Sequence, residues 1–378
     1  MSFSMKPTIP TASSEASTVS NEQWLEWNEY QHSLIKADEV AVTGKKGVVR
    51  KSKTLVGILN FIMDVGYQPQ SDAQYDTKVA VPAEGEDYSA EELAHIEKYP
   101  TNDFIWVTED NGVRKRKQTA PQRPEQEYVF FFDFPEVMID YTKHPDEKMH
   151  KLGSKPLRVS YNGRFGKIGS LVFNRTLPFS IDYKTKTLST KNPIYKIADK
   201  MNVAQEFEKS GYDLGTLAGK ACKWTVISEK NVNGDKTYFN TTIKDAAKIE
   251  EVSAAGITIT VAQQIPACDV EFVGIHFNGE SYDPDSIEYI KNRKELIEVA
   301  QRAVSFKPSP VNHPDFVIGV DFKDSGLAKA LGVVTDTPKA ESSPAPAKDV
   351  AQGTTKAPEA SKSTPPVGMD SFDPDVPF

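Results

Sequence analysis

The chain is poor in the residues on which most protein chemistry depends. Its 378 residues include only two cysteines, Cys222 and Cys268, and six histidines. Two cysteines so placed make neither a disulfide framework nor a metal site, and they point to a reducing compartment. The histidines (His32, His95, His144, His150, His276, His313) form no His-x-x-x-His pair. No Cys-x-x-Cys stands anywhere, so no metal is expected and no other cofactor is implied. Gly163, Gly166 and Gly169 lack the G-x-x-x-x-G-K-[ST] spacing of a phosphate loop. Carboxylates are plentiful, but no motif sets a pair apart. Catalysis is not expected. No apolar run approaches ~20 residues, which excludes a helical membrane span. The opening M-S-F-S-M-K-P-T lacks the apolar stretch of a secretory signal. A cytoplasmic protein is the expectation.

What is present is unevenly distributed. Hydrophobic content of 38% and charged content of 26% allow a soluble core. The length suits one elaborated domain or two. A net charge of −8 argues against nucleic acid until its distribution is considered. Residues 151–200 hold eleven Lys/Arg against two acids, Asp182 and Asp199, a local charge of +9. Surface potential follows the local arrangement more than the total, so a basic groove can coexist with an acidic chain.

Residues 1–20 are rich in Ser, Thr and Pro and have little to bury, which predicts disorder. Within 21–43, Ser20 and Gln23 make a capping box for a helix to about Lys36. Trp24, Trp27, Tyr30 and Leu34 share a face that docks on the body or, alternatively, stacks on DNA. Gly44–Lys53 is basic, with Arg50 and Lys51, and leads into an apolar strand, Thr54–Val65. Residues 68–125 read as an insertion. It holds a helix capped by Ser89 with Glu92 and a hairpin at Asn111-Gly112. Arg114–Lys117 is a basic ribbon or a solvated edge that resists aggregation. A second strand at Tyr128–Tyr141 precedes a basic loop, 142–167, and a third strand, Gly169–Ile181. A helix over Lys191–Lys209 follows. Lys223–Ser228 and Lys236–Lys244 then pair around Asn233-Gly234. Three strands, a helix and two strands is the order of the OB-fold, a five-stranded barrel that binds oligonucleotides. The expected class is therefore mainly β with α elements, with an OB-fold barrel over 44–250. Residues 251–333 add a strand, Ala267–Phe277, and a helix from Asp283 to about Val304 that packs on the barrel. Residues 334–368 are a Pro/Ala/Ser/Thr/Lys linker with too little apolar surface to fold.

The informative stretch is R-V-S-Y-N-G-R-F-G-K-I-G-S-L-V-F-N-R, Arg158 to Arg175. It interleaves Tyr161, Phe165 and Phe173 with Arg158, Arg164, Lys167 and Arg175. An aromatic ring stacks on any base for ~1–3 kcal/mol while cations track the phosphates. The same residues would also suit a barrel strand with core aromatics and a solvated basic loop, and Phe173 favours that core role. Trp224, Tyr238 and Phe239 fall on the paired fourth and fifth strands. Alternation sends neighbours to opposite faces, so at most one of Tyr238 and Phe239 faces a groove. Lys230 and Lys236 flank the hairpin turn, where they can clamp a phosphate backbone.

Two resemblances sharpen the reading. The last ten residues, M-D-S-F-D-P-D-V-P-F, resemble the acidic tip of bacterial and phage single-stranded DNA-binding proteins, with Val376-Pro377-Phe378 standing for a final Ile-Pro-Phe. This implies that 369–378 binds a replication or recombination protein such as a polymerase, helicase, primase or nuclease, through Asp370, Phe372, Asp373, Asp375, Val376, Pro377 and Phe378. Phe61–Gln70, Asn174–Ser180 and Leu217–Cys222 are similar, in order, to strand segments of a phage family of OB-fold single-stranded DNA-binding proteins. The resemblance implies a phage-encoded protein in the host cytoplasm. It would coat single-stranded DNA for replication, recombination or repair, without sequence specificity. The rival reading is a non-catalytic interaction protein whose tail docks replication enzymes while its basic body binds RNA or protein.

Overall fold

The computed structural model describes residues 20–333 except 44–46, 83–85, 110–111, 162–164, 169–170, 175, 183, 235, 250–251, 255–256, 260–264 and 308–316. The acidic tip, the linker and the N-terminal nineteen residues therefore lie outside the described residues. In chain order the elements are helix α1 (Asn21–Leu34), strands β1 (Glu39–Thr43), β2 (Val48–Gln68) and β3 (Ala73–Asp76), then α2 (Ala90–Lys98). Next come β4 (Asp103–Thr108), β5 (Arg114–Ala120), β6 (Glu125–Asp140), β7 (Ser154–Tyr161), β8 (Phe165–Ile168), β9 (Leu171–Asn174) and β10 (Leu177–Pro178). Helices α3 (Pro193–Lys200) and α4 (Ala204–Lys209) precede β11 (Ala221–Asn233) and β12 (Lys236–Ala247). The chain continues through β13 (Val252–Ala254), β14 (Ile257–Ile259), β15 (Val273–Ile275), α5 (Pro284–Lys291), α6 (Lys294–Ala300) and α7 (Gly326–Leu331).

The fold is mainly β with helices. In the main sheet the pairing runs β12–β11–β2–β6, and β7 and β10 share the far edge of β6. The third strand is one line in two pieces. Tyr161 pairs with Phe130 at the end of β7, and Leu177 pairs with Tyr128 at the start of β10. The β8–β9 ribbon is looped out between them and pairs only with itself among the described residues. This corrects the expected third strand at Gly169–Ile181. The alternation Leu157, Val159, Tyr161 begins the strand earlier, inside the stretch read as a basic loop, with Leu157 and Val159 buried.

The sheet curls without closing into a barrel. Residues of β12 and β7 approach within 8 Å between Cα atoms, but no hydrogen-bonded ladder joins them among the described residues. Helix α1 bridges the gap. Its capping box is formed, with Gln23 N donating to Ser20 Oγ and Ser20 N to Gln23 Oε1. At one end of the sheet, His32 Nδ1 lies 2.8 Å from Ser228 Oγ, and Glu29 pairs with Lys230 at 2.6 Å. At the other, buried Trp27 packs on Tyr141 and His144, and Tyr30 Oη accepts from Asp140 N at 3.0 Å.

Both faces of the central strands are buried, by different partners. Leu59, Ile62, Phe130, Phe132 and Phe134 face a core shared with α1, α3 and α4. Phe61, Met63, Val129 and Phe131 face a second core built by α5, α6 and α7. This is why V-F-F-F-D-F shows no polar alternation: a strand covered on both sides needs none. Gly57 lies between Phe134 and Trp224, where a Cβ would come within 2.8 Å of either ring. Gly66, at φ +76°, carries a bulge near the end of β2, its N–H donating to Asp64 Oδ1.

Two expected helices are each broken in two. Asn202 takes φ +61° and separates α3 from α4. Arg293, extended at φ −123° and ψ 85°, separates α5 from α6. Asp283 caps α5 through Ser286 N, with Pro284 in its first turn. The expected strand Ala267–Phe277 shrinks to β15, which pairs in parallel with Phe61–Met63. Residues 73–120 form a sheet of their own, ordered β3–β5–β4, with α2 packed against it. No helix among the described residues is long and apolar enough to cross a membrane.

Candidate nucleic-acid interface

The register of β1, β2, β11 and β12 sorts the candidate side chains onto two faces. On one face Val49, Lys230 and Phe239 stand in a row, followed by Lys51, Ser228 and Thr241. This is the inner face, and α1 occupies it. Phe239 meets the His32 ring edge-on at 5.7 Å, Lys51 Nζ donates to the His32 carbonyl at 3.2 Å, and Lys230 is held by Glu29. Burial, then the neighbouring positive Lys51, lower the pKa of His32 below the usual histidine value. Lys51 and Lys230 are therefore parts of the α1 dock.

The outer face carries Lys236, Tyr238, Asn240, Thr242 and Lys244 along β12, opposite Asn233, Asn231, Glu229, Ile227 and Thr225 on β11. Arg50 and Ser52 continue the surface on β2. Tyr238 is 53% exposed. The alternation expected of Tyr238 and Phe239 is the one observed: Tyr238 faces solvent and Phe239 faces α1. Arg50 lies across from Glu229 and pairs with it at 2.5 Å, so part of its charge is already met. Lys244 was not a candidate in the sequence. Its signal was parity, since it stands six residues from Tyr238 on one strand and so on the same face.

Three candidates are drawn into the interior. Trp224 is 0% exposed and packs edge-on against Phe132 and at a tilt against Tyr161, with ring centroids 4.8 and 4.7 Å away. Its ring is closed to a base. Tyr161 is half-buried on Trp224, and burial raises its phenol pKa. The expectation that it stacks on DNA yields to a packing role, because it ends a core strand and does not sit in a loop. Arg158 grips Asp133 with two hydrogen bonds, 2.7 and 2.8 Å, under Phe61 and Tyr289. Asn60 Nδ2 adds a third donor to that carboxylate at 3.2 Å. Arg158 is thereby a partly buried counter-charge to Asp133, its guanidinium already engaged by that carboxylate. Asp133 was missed in the sequence, although a lone acid inside V-F-F-F-D-F demands a partner.

The ribbon holds the remaining candidates. Its backbone register sets Phe165 across from Asn174, Gly166 from Phe173 and Lys167 from Val172. The side chains of Phe165, Lys167 and Phe173, and all of Arg164 and Arg175, lie outside the described residues, as do Asp370 to Phe378 at the tip. Three cations of the second basic run, Lys115 to Lys117, are met from within. Lys115 pairs with Glu109, Lys117 with Asp76 and Glu109, and buried Arg116 with Glu92. Among the described residues no group of three or more His, Cys, Asp and Glu is placed to hold a metal. In comparisons with family models, curated proteins and solved structures, nothing matches this chain.

Proposed function

We propose that the chain coats single-stranded DNA without reading its sequence and without catalysis, and that its C-terminal tip recruits a replication or recombination protein. The observation that carries this reading is the pairing order. The line from β12 through β11, β2 and β6 to β7, with helices α3 and α4 between the third strand and β11, is the order expected of an OB-fold opened at one seam and so supports this reading. In that fold the hairpin between the last two strands contributes to oligonucleotide binding. Here that hairpin presents Lys236, Tyr238 and Lys244 to solvent. The outer face of the second strand, a usual binding surface of the fold, is covered by α5 and α6. Among the described residues the exposed face of β12 stays open for the strand to run along.

At the tip, Phe372 and Phe378 are the two aromatics after Phe322, and they stand among Asp370, Asp373 and Asp375. Buried aromatic anchors dominate protein interfaces, while acids steer association. A mobility-shift assay with single-stranded DNA, duplex DNA and RNA of equal length tests the body. Preference for the single strand supports the reading, and preference for RNA or no binding favours an interaction protein. Phe378→Ala tests the tip: it loses the partner in a pull-down and leaves DNA affinity as in the intact chain. Equal recovery by both proteins removes the tip from recruitment.

A further inference from the structure

The insertion between β2 and β6 has a surface of its own. Trp106 on β4 pairs in register with Arg116 on β5, and Thr108 with Arg114. Arg116 is locked in place. Its Nε and Nη2 donate to the Glu92 carboxylate at 2.8 and 3.0 Å, and Nη2 also reaches the Asp87 carbonyl at 2.8 Å. Its guanidinium lies 5.4 Å from the Trp106 ring and 5.4 Å from that of Tyr88, whose hydroxyl donates to Asp103 at 2.8 Å. The indole is thus held against a rigid base. It is nonetheless 38% exposed, and Arg114 lies over it at 5.0 Å.

Strand alternation separates this face from its neighbours. Lys115 and Lys117 fall on the opposite face, where Glu109 and Asp76 neutralise them. Arg114 is exposed and makes no ion pair with a described residue. An ordered ring beside a guanidinium that pairs with no described acid matches a planar base followed by a phosphate. A ring already held in place loses little entropy when a base stacks on it.

We propose that Trp106 and Arg114 form a second contact for single-stranded nucleic acid, the indole stacking on a base and the guanidinium meeting the adjacent phosphate. The proposal rests on the single-strand reading above. Residues 68–125 carry twelve acids against seven Lys/Arg, a net charge of −5, so the insertion does not attract polyanions as a whole. Stacking therefore carries this contact, and its loss depends little on salt. That separates it from a purely electrostatic patch.

The test uses the full chain titrated with poly(dT). Trp106→Ala weakens binding about tenfold, the scale of one lost stacked base, and Arg114→Glu, which reverses a charge at the phosphate, weakens it by a factor that shrinks as salt rises. The factor for Trp106→Ala is the same at low and physiological salt. Arg114→Glu changes an exposed side chain, so it decides the matter if Trp106→Ala fails to fold. Intact affinity in Arg114→Glu and in a folded Trp106→Ala, alongside weakened binding by Tyr238→Ala, overturns the second contact and leaves the main reading standing. Absence of poly(dT) binding by the unaltered chain overturns both. Unchanged nucleic-acid binding with loss of a protein partner also overturns the proposal, by assigning the platform to protein recognition.

Discussion

Two short stretches of this chain look alike in sequence and end in opposite places. Arg158-Val-Ser-Tyr161 on β7 and Lys236-Thr-Tyr238 on β12 each set a cation beside a tyrosine on a β-strand. In β7 both are taken into the fold, Arg158 by Asp133 and Tyr161 by Trp224. In β12 both remain exposed. Residue type does not explain the difference; what covers the strand does. The outer face beside Arg158 receives Tyr289 of α5, a helix more than a hundred residues downstream. Among the described residues the outer face of β12 receives no such helix, while α1 and α3 approach the strand from its core side. A strand in this fold is available for binding where the C-terminal helices stop.

The largest effect expected from this contrast is at Arg158. Removing one partner of a buried ion pair leaves an uncompensated charge and costs about 3–5 kcal/mol. Asp133 is fully buried, and without Arg158 it keeps only Asn60 as a close side-chain donor among the described residues. Arg158→Ala should lower the denaturation midpoint sharply while leaving DNA affinity per folded molecule unchanged. If instead the variant is as stable as the intact chain and binds DNA more weakly, the contrast is inverted and Arg158 is a phosphate ligand.

The exposed stretch should behave in the opposite way. Tyr238→Ala should leave the thermal transition in place and weaken single-strand binding by about 1–3 kcal/mol, if its ring stacks on a base. Lys236→Ala should reduce the slope of log affinity against log salt by about 0.7, the value for one phosphate contact on a single strand. Equilibrium titration at several salt concentrations measures both. A Tyr238→Ala variant with undiminished affinity would move the interface off β12.

The local features of this fold were legible wherever short-range physics decides. Ser20 with Gln23, Ser89 with Glu92, and Asp283 with Pro284 marked helix starts that are observed. The opposite faces of Tyr238 and Phe239 followed from strand alternation alone. What stayed hidden depends on distant partners. Nothing near Arg158 announces Asp133, and nothing near Trp27 announces His144 across the seam. The helix breaks at Asn202 and Arg293 were missed because the apolar spacing continues through them while the backbone does not. The third strand starts earlier than its sequence suggests, because the plain alternation of Leu157 and Val159 is a weaker local signal than the glycines and aromatics of the ribbon that follows.

The inner face of β12 supplies the smallest and most specific test, through acid. His32 is buried between α1 and the sheet, with Lys51 and Lys230 as positive neighbours and Glu29 as the negative one. His144, against Trp24 and Trp27 at the other end of the helix, is also pushed down by burial, with Asp146 and His150 nearby. Both folded-state values thus lie below the unfolded ones, so the unfolded chain binds more protons as the pH falls through the histidine range. Stability must then rise with pH across that range. The contribution of α1 docking is fully present above about pH 6.5, the ordinary histidine value. It is lost progressively below that and levels off once the pH passes below the folded-state values. His32→Gln removes one of the two titrating groups and keeps a polar side chain near Ser228. Its thermal midpoint should change less between pH 8 and pH 5 than that of the intact chain, with part of the slope remaining through His144. Single-strand affinity of the outer face should not follow this titration, because Lys236 and Tyr238 do not touch α1. If the variant keeps the full acid sensitivity of the intact chain, His32 is not the group that ties α1 to the sheet, and the seam is closed by Trp27 and its neighbours without a titrating contact.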